Sequence, residues 1–272
     1  MSKPISSIEE YARRICALAR DSDEDLLYRG HSKKKFTLRP RLFDERKHRD
    51  AECTSWHELV ATHPDEFVSD LTMLEKLARA RHYSLPTRLL DVTRNPLVAL
   101  YFAVKEHNKA TGEIIVFYIK KPKIKFYDSD TVSCIANLAH LTRSEQQAIN
   151  FGITGRAFNH QPSVDRLLQF IRMEKPYFRP EIVPEDLKTV LCVTPKQNNR
   201  RIQAQAGAFF VFGLGTDLHL DTGLVSGIRV ERIKIKKHKK RQILKELGRM
   251  GVDQSTMFPE MEVTARQIRD RH

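Results

Sequence analysis

The sequence lacks most of the features that sort a chain early. Its four cysteines, at positions 16, 53, 134 and 192, include no close pair. That excludes the paired-cysteine zinc signatures and argues against a disulfide framework, leaving free thiols in a reducing compartment as the expectation. No stretch approaches the roughly 18 consecutive apolar residues of a transmembrane helix. Residues 1–10 lack the basic-then-apolar profile of a signal peptide. A cytoplasmic location with no membrane partner is expected. There is no Walker A loop, no H-E-x-x-H, no nucleophile elbow and no G-x-G-x-x-G fingerprint, which excludes those catalytic and dinucleotide-binding templates. Gly213-Leu214-Gly215 follows a strand-like run but opens no helix, so it reads as a turn. The histidines at 57, 63 and 82 have no ligand spacing, and no metal site is expected.

Acidic residues are scarce relative to basic ones. The 272 residues hold 34 Asp+Glu against 47 Lys+Arg, a net charge of +13, so a polyanionic partner is the first expectation. The excess is uneven: arginines 29, 39, 41, 81, 88 and 94 crowd three local clusters, while lysines gather at 234–241. The arginines are expected to ring a pocket for a phosphate-bearing ligand. The lysines are expected to meet a polymer.

Apolar residues make up 40% of the chain, enough for a sizeable core. Ile8, Tyr11, Ala12, Ile15 and Leu18 form the stripe of an N-terminal helix, placed within residues 1–23. A single domain is expected over 24–265. Leu26-Leu27-Tyr28 reads as a strand, residues 50–81 as one or two helices broken at Pro64, and residues 87–93 as a second strand. Asn95-Pro96 starts a helix, because proline's missing N–H has no partner to lose at the first helical position. Residues 113–119, 189–193, 208–212 and 226–235 are rich in β-branched and aromatic residues and read as strands. Residues 237–248 and 260–269 read as helices. From 122 to 184 the periodicity weakens, which suggests an insertion or lid. The pattern predicts an α+β fold, a central mixed or antiparallel sheet of short strands flanked by helices.

Three clusters could carry chemistry. In Tyr28-Arg29-Gly30-His31 a guanidinium ends an apolar strand, where it can hold a phosphate bidentately while the glycine lets a ligand approach the backbone. An arginine in a plain surface ion pair is the alternative. In the run from Arg81 to Pro96, alternation puts Thr87, Leu89, Asp91 and Thr93 on one face and Arg88, Leu90 and Val92 on the other. A half-buried Asp91 then needs a partner, Arg29 or Arg88, for catalysis or merely to tie strands together. The third cluster, Asn198 to Phe210, places Gln203 and Gln205 two apart, sharing a face if extended or sitting at a helix end capped by Gly207. The basic run Lys236, Lys237, Lys239, Lys240 and Arg241 could bind a nucleic-acid backbone without reading sequence; a solvated helix face is the alternative.

These clusters resemble the FRG-domain family, through Tyr28-Arg29-Gly30, Arg39-Pro40-Arg41-Leu42-Phe43, the run from His82 to Ala103, Arg201-Ile202 with Gln205 to Phe209, and Thr256-Met257-Phe258-Pro259. Their order resembles, more weakly, the ADP-ribosyltransferases. That resemblance implies an ADP-ribosyltransferase-like fold and an enzyme using NAD to modify nucleic acid (RNA or DNA), in a bacterial or phage toxin or defence setting with a partner antitoxin. It implies NAD binding by Tyr28, Arg29, Gly30, His31 and Thr93, and catalysis by Asp91, Arg88 and Gln205. Gln205 stands where that family carries a glutamate, so Asp91 would supply the carboxylate. The alternatives are a non-enzymatic module that binds a nucleotide or nucleic acid, and a metal-dependent nuclease built on Asp91 and histidines.

Overall fold

A computed structural model describes residues 3–20, 24–215, 228–260 and 269. Helix α1 (Ile8–Arg20) leads into strand β1 (Asp25–His31), then α2 (Arg46–Asp50), α3 (Glu52–Thr62) and α4 (Met73–His82). Strand β2 (Leu89–Thr93), α5 (Pro96–Val104), β3 (Gly112–Ile119) and β4 (Ile124–Phe126) follow. The helices α6 (Asp130–Ala136), α7 (Arg143–Ala148), α8 (Gly155–Asn159) and α9 (Pro162–Glu174) come next. The chain continues through β5 (Val190–Thr194), α10 (Arg200–Ala204), β6 (Gly207–Phe212), β7 (Arg229–Ile235), α11 (Lys240–Arg249) and α12 (Gln254–Met257). The expected helix at 260–269 and the start of the strand expected at 226–235 lie outside the described residues.

The fold is α+β. One seven-stranded mixed sheet runs in the order β4-β5-β6-β2-β1-β3-β7, antiparallel except for β4 beside β5. Local chemistry sets the helix starts: Asn95 caps α5 through Leu97 N–H ahead of Pro96, and Thr72 and Glu75 form a reciprocal capping box on α4. Among the described residues no helix is long and apolar enough to cross a membrane.

Three clusters of buried side chains hold the layers together. The first packs α3, α4, α6, α8 and α9 against β2, β5 and β6, through residues such as Trp56, Leu77, Ile135, Leu167, Leu89 and Phe209. Residues 122–184, expected as an insertion or lid, thus supply one sheet strand and much of this cluster; Val132, Ile135, Leu138, Phe158 and Val164 are fully buried. Short helices separated by turns explain the weak periodicity there. The second packs α1, α5 and α11 against β1, β3 and β7, with Tyr11, Ala99, Val116, Ile235 and Ile243 at its centre.

The third cluster lies on the other face and is made largely by the sheet against itself. Phe117 of β3 and Phe210 of β6 meet with ring centroids 4.9 Å apart, although two strands separate them in the sheet order. Adjacent strands lie about 4.8 Å apart, so a flat sheet would hold β3 and β6 roughly three times that distance from each other. The sheet must therefore curl sharply. The bend falls where β1 meets β2, whose register comes down to a single pair, Tyr28 with Thr93.

Candidate functional site

The site grows out of that bend. Where an antiparallel ladder would continue past Tyr28–Thr93, the Arg29 side chain intervenes: Nη1 donates to the Asp91 carbonyl at 2.5 Å. Arg29 Nε donates to His31 Nε2 at 3.0 Å, so that nitrogen accepts and the imidazole is neutral with its proton on Nδ1. Nδ1 faces Glu113 Oε1 at 3.6 Å, and Glu113 is held in turn by Arg232 at 2.5 Å. Burial, opposed by Glu113, lowers the His31 pKa, consistent with the neutral form. Burial also brings Arg29 down to about 10, against the pull of Asp91. The guanidinium stays charged at neutral pH, oriented by a buried chain of partners.

Gly30 has a packing role besides its place beside the cavity. A Cβ there would meet the Ala99 carbonyl oxygen at 1.9 Å and the Ala103 nitrogen at 2.7 Å. The glycine is required because α5 lies directly on β1, which seats the helix and aims Phe102 and Lys105 at the cavity.

That cavity, about 250 Å³, is lined by Tyr28, Arg29, Gly30, Asp91 and Thr93 from the strands, with Arg81 and His82 at the end of α4. Phe102 and Lys105 close one side; Arg201, Gln205 and Phe258 close another. Among the described residues, four cations therefore face a single carboxylate. Asp91 Oδ2 lies 3.0 Å from Arg81 Nη2 and 3.9 Å from Arg29 Nη1, and the carboxylate is 40% exposed. Arg201 sits 4.7 Å over the Phe258 ring and reaches Glu260 at 3.5 Å; Lys105 Nζ lies 5.1 Å from both Phe102 and Phe258. Burial, reinforced by Arg201, depresses the His82 pKa to about 4, so it lines the cavity as a neutral ring.

The structure brings together most, not all, of the residues that sequence singles out. Asp91 has the half-buried position that alternation predicts, with Leu89 in the first cluster and Leu90 and Val92 in the third. Its nearer partner is Arg81, rather than Arg29 or Arg88. Thr93 and Gln205 meet directly, Thr93 Oγ1 donating to the Gln205 carbonyl at 2.6 Å. Gln203 and Gln205 do not share an extended face: Gln203 belongs to α10, Gln205 ends it, and Ala206 (φ +44°) turns the chain into β6. The Gln205 amide nitrogen is bound to the Met257 carbonyl at 2.9 Å, fastening α12 beside the cavity. His31 stands behind Arg29 rather than in the cavity wall.

The expected ring of six arginines is corrected: of these, only Arg29 and Arg81 reach the cavity. Arg39 pairs with Asp44 at 2.9 Å, Arg94 with Asp25 at 3.6 Å, and Arg41 is exposed. Arg88 is fully buried elsewhere, bidentate to Glu52 at 2.8 and 2.5 Å and donating to the Phe212 carbonyl. All its donors are directed into the fold, so it has no part in this cavity. Lys240 is likewise fully buried, its Nζ bound by the carbonyls of Ser32, Glu106 and His107, which leaves no charge for a phosphate outside. Lys236, Lys237 and Arg241 are exposed and Lys239 partly so. Sequence reasoning missed Arg201, Lys105, Phe102 and Phe258 as cavity residues. For Arg201, Phe102 and Phe258 the signal was membership of the same motif blocks, but a block does not say which side chain turns inward; Lys105 lies just past the block that ends at Ala103. Among the described residues no cluster of three or more His, Cys, Asp or Glu could hold a metal ion.

No curated protein and no solved structure matches the chain. The model of the FRG domain matches residues 24–112, the span that contains Arg29, Gly30, Arg81, Asp91 and Lys105. Residues 24–112 of the chain are thus an FRG domain.

Proposed function

We propose that this cavity binds a phosphate-bearing dinucleotide of the NAD type and that the protein transfers ADP-ribose from it to an acceptor. The observation that carries the reading is the convergence of Arg29, Arg81, Arg201 and Lys105 on one concave site whose single carboxylate is Asp91. Guanidinium groups bind diphosphate oxygens bidentately, and Phe102 and Phe258 offer apolar faces to a base or to nicotinamide. At about 250 Å³ the cavity sits at the small end of ligand sites, so it suits one nucleotide moiety, with the other extending through the mouth. In this reading the fold is of the ADP-ribosyltransferase-like kind.

NAD supplies a ribose C1′ bonded to a cationic leaving group. As the C1′–N bond breaks, nicotinamide departs neutral with the bonding pair, and positive charge develops on the ribose. Asp91 is the one carboxylate in the wall that can stabilise this charge, and it can take the proton that the acceptor loses on bonding to C1′. Arg81, 3.0 Å away, pairs with Asp91 and fixes its position. The Gln205 amide, anchored on Met257, orients the acceptor. Consumption of NAD is the chemistry that a bacterial or phage toxin or defence effector would use.

Calorimetric titration with NAD, ADP-ribose and nicotinamide tests the binding, and nicotinamide release in the presence of RNA, DNA or lysate tests the chemistry. Binding with release, and binding without release in Asp91→Asn, is the expected result. Absence of NAD binding overturns the reading. Binding without any release leaves a non-enzymatic nucleotide-binding module, which the paired state of Asp91 would then explain.

A further inference from the structure

Lys240 ties three surface segments into one place. Its Nζ is buried and holds the carbonyls of Ser32, at the end of β1, and of Glu106 and His107, just past α5. A second tie, Lys34 N–H to the Thr111 carbonyl at 3.0 Å, fixes the segment after β1 to the one before β3 at the same corner. Segments far apart in sequence thereby present their lysines together: Lys33, Lys34 and Lys35 after β1, Lys109 before β3, and Lys237, Lys239 and Arg241 around the start of α11. No ion pair engages any of these seven among the described residues. The local acid, Glu106, is already shared by Lys105 at 3.1 Å and His107 at 3.8 Å.

An aromatic ring lies in this field, which the basic run 234–241 by itself does not contain. Phe36 directly follows the three lysines, is 44% exposed, and is braced edge-on by His31 at 5.8 Å and His107 at 6.0 Å. A large apolar ring held at fixed orientation among lysines has the composition of a single-strand stacking platform: the cations follow the backbone and the ring takes a base. The corner also adjoins the cavity, since Lys105, on the cavity wall, immediately precedes the Glu106 carbonyl that Lys240 holds.

We propose that this corner binds single-stranded nucleic acid, with phosphates on Lys34, Lys35, Lys109, Lys237 and Arg241 and a base stacked on Phe36. The strand is thereby led toward Lys105 and the cavity mouth. The inference rests on the proposed transfer only in making the strand its acceptor; the binding itself does not depend on NAD.

The test is fluorescence anisotropy of the full chain with labelled single-stranded RNA, single-stranded DNA and duplex DNA of equal length, at several salt concentrations, with vesicles of anionic phospholipid as a further arm. Single strands should bind more tightly than duplex, and the RNA and DNA arms show which polymer is preferred. Phe36→Ala should weaken single-strand binding by about tenfold, the order expected for one stacked base, and leave duplex binding unchanged. Lys34→Gln with Lys237→Gln should reduce the salt slope by about 0.7 for each phosphate no longer neutralised. Titration of NAD against these variants should be unaffected, which separates this surface from the cavity. The proposal is overturned by equal binding of duplex and single strand with no effect of Phe36→Ala, by binding to vesicles alone, or by no binding to any polymer.

Discussion

Arg88 and the cavity arginines have the same side chain and opposite situations. Arg88 is 1% exposed, bidentate to a carboxylate that is itself buried, with its third nitrogen donating to a carbonyl; Gln146 also binds that carboxylate, at 3.1 Å. Arg81 and Arg201 are about a quarter exposed and each is bound through one terminal nitrogen, Arg81 to Asp91 at 3.0 Å and Arg201 to Glu260 at 3.5 Å and the His82 carbonyl at 3.3 Å. A guanidinium bonded through all three nitrogens inside the fold holds the fold together; one bonded through a single nitrogen can hold a ligand. Arg29 stands between, its Nε and Nη1 fixed by His31 and Asp91 while it still lines the cavity.

The sharpest way to break this contrast is to empty the Arg88 position. Arg88→Met leaves Glu52 buried without its countercharge, and a loss of about 3–5 kcal/mol in urea unfolding is expected. Arg88→Met with Glu52→Leu should recover most of that loss, because no unpaired charge remains. If the single variant is as stable as the parent, the assignment of Arg88 to the fold fails. Gly30→Ala comes next, at about 1–3 kcal/mol, because its methyl group would force α5 off β1. Ligand binding should fall with it, since Phe102 and Lys105 ride on that helix.

Arg201→Gln is expected to do the reverse. Its ion pair is partly exposed, so stability should change by less than about 1 kcal/mol. A charge-assisted bond to a phosphate is worth about 1.5–3 kcal/mol, so titration with ADP-ribose should show affinity lower by about tenfold or more. A large stability loss with unchanged affinity would place Arg201 beside Arg88 and dissolve the distinction.

Composition and capping made β1, β2, α5 and β3 readable in the sequence: β3 is a run of β-branched and aromatic residues buried along its whole length, and α5 has the explicit start signal Asn95-Pro96. The alternation over 87–93 also gave the two faces of β2 correctly. What sequence could not supply was the curl of the sheet, which is set by contacts such as Phe117 with Phe210 across two intervening strands. The curl decides which motif arginines converge, so Arg81 and Arg201 join Arg29 while Arg88, three residues from Asp91, turns away to Glu52. At Gly30 close approach was the right inference, and the backbone that approaches is that of Ala99. Lys240 misled because a lysine in a basic run is indistinguishable by composition from one that holds three carbonyls.

The smallest expected effect compares two histidines. Burial depresses both His82, in the cavity, and His140, in the helical layer, from 6.5 to about 4. A group whose folded pKa lies below its unfolded value takes up protons preferentially in the unfolded chain, so stability rises with pH across that interval. Both histidines therefore contribute full stability above about pH 6.5 and lose it as the pH falls toward 4. His140 stacks on Phe170 at 4.4 Å with its Nδ1 unpartnered, so His140→Phe keeps the stacking and removes one titrating group. Melting curves from pH 7 to 4.5 should then show a shallower acid decline than the parent, with little change at pH 7. His82 should respond to ligand and His140 should not, because a phosphate in the cavity would favour the charged imidazole. NMR titration of the two ring signals with and without ADP-ribose reads this directly: an upward shift confined to His82 places the anion at the cavity, and equal behaviour of the two removes it from there.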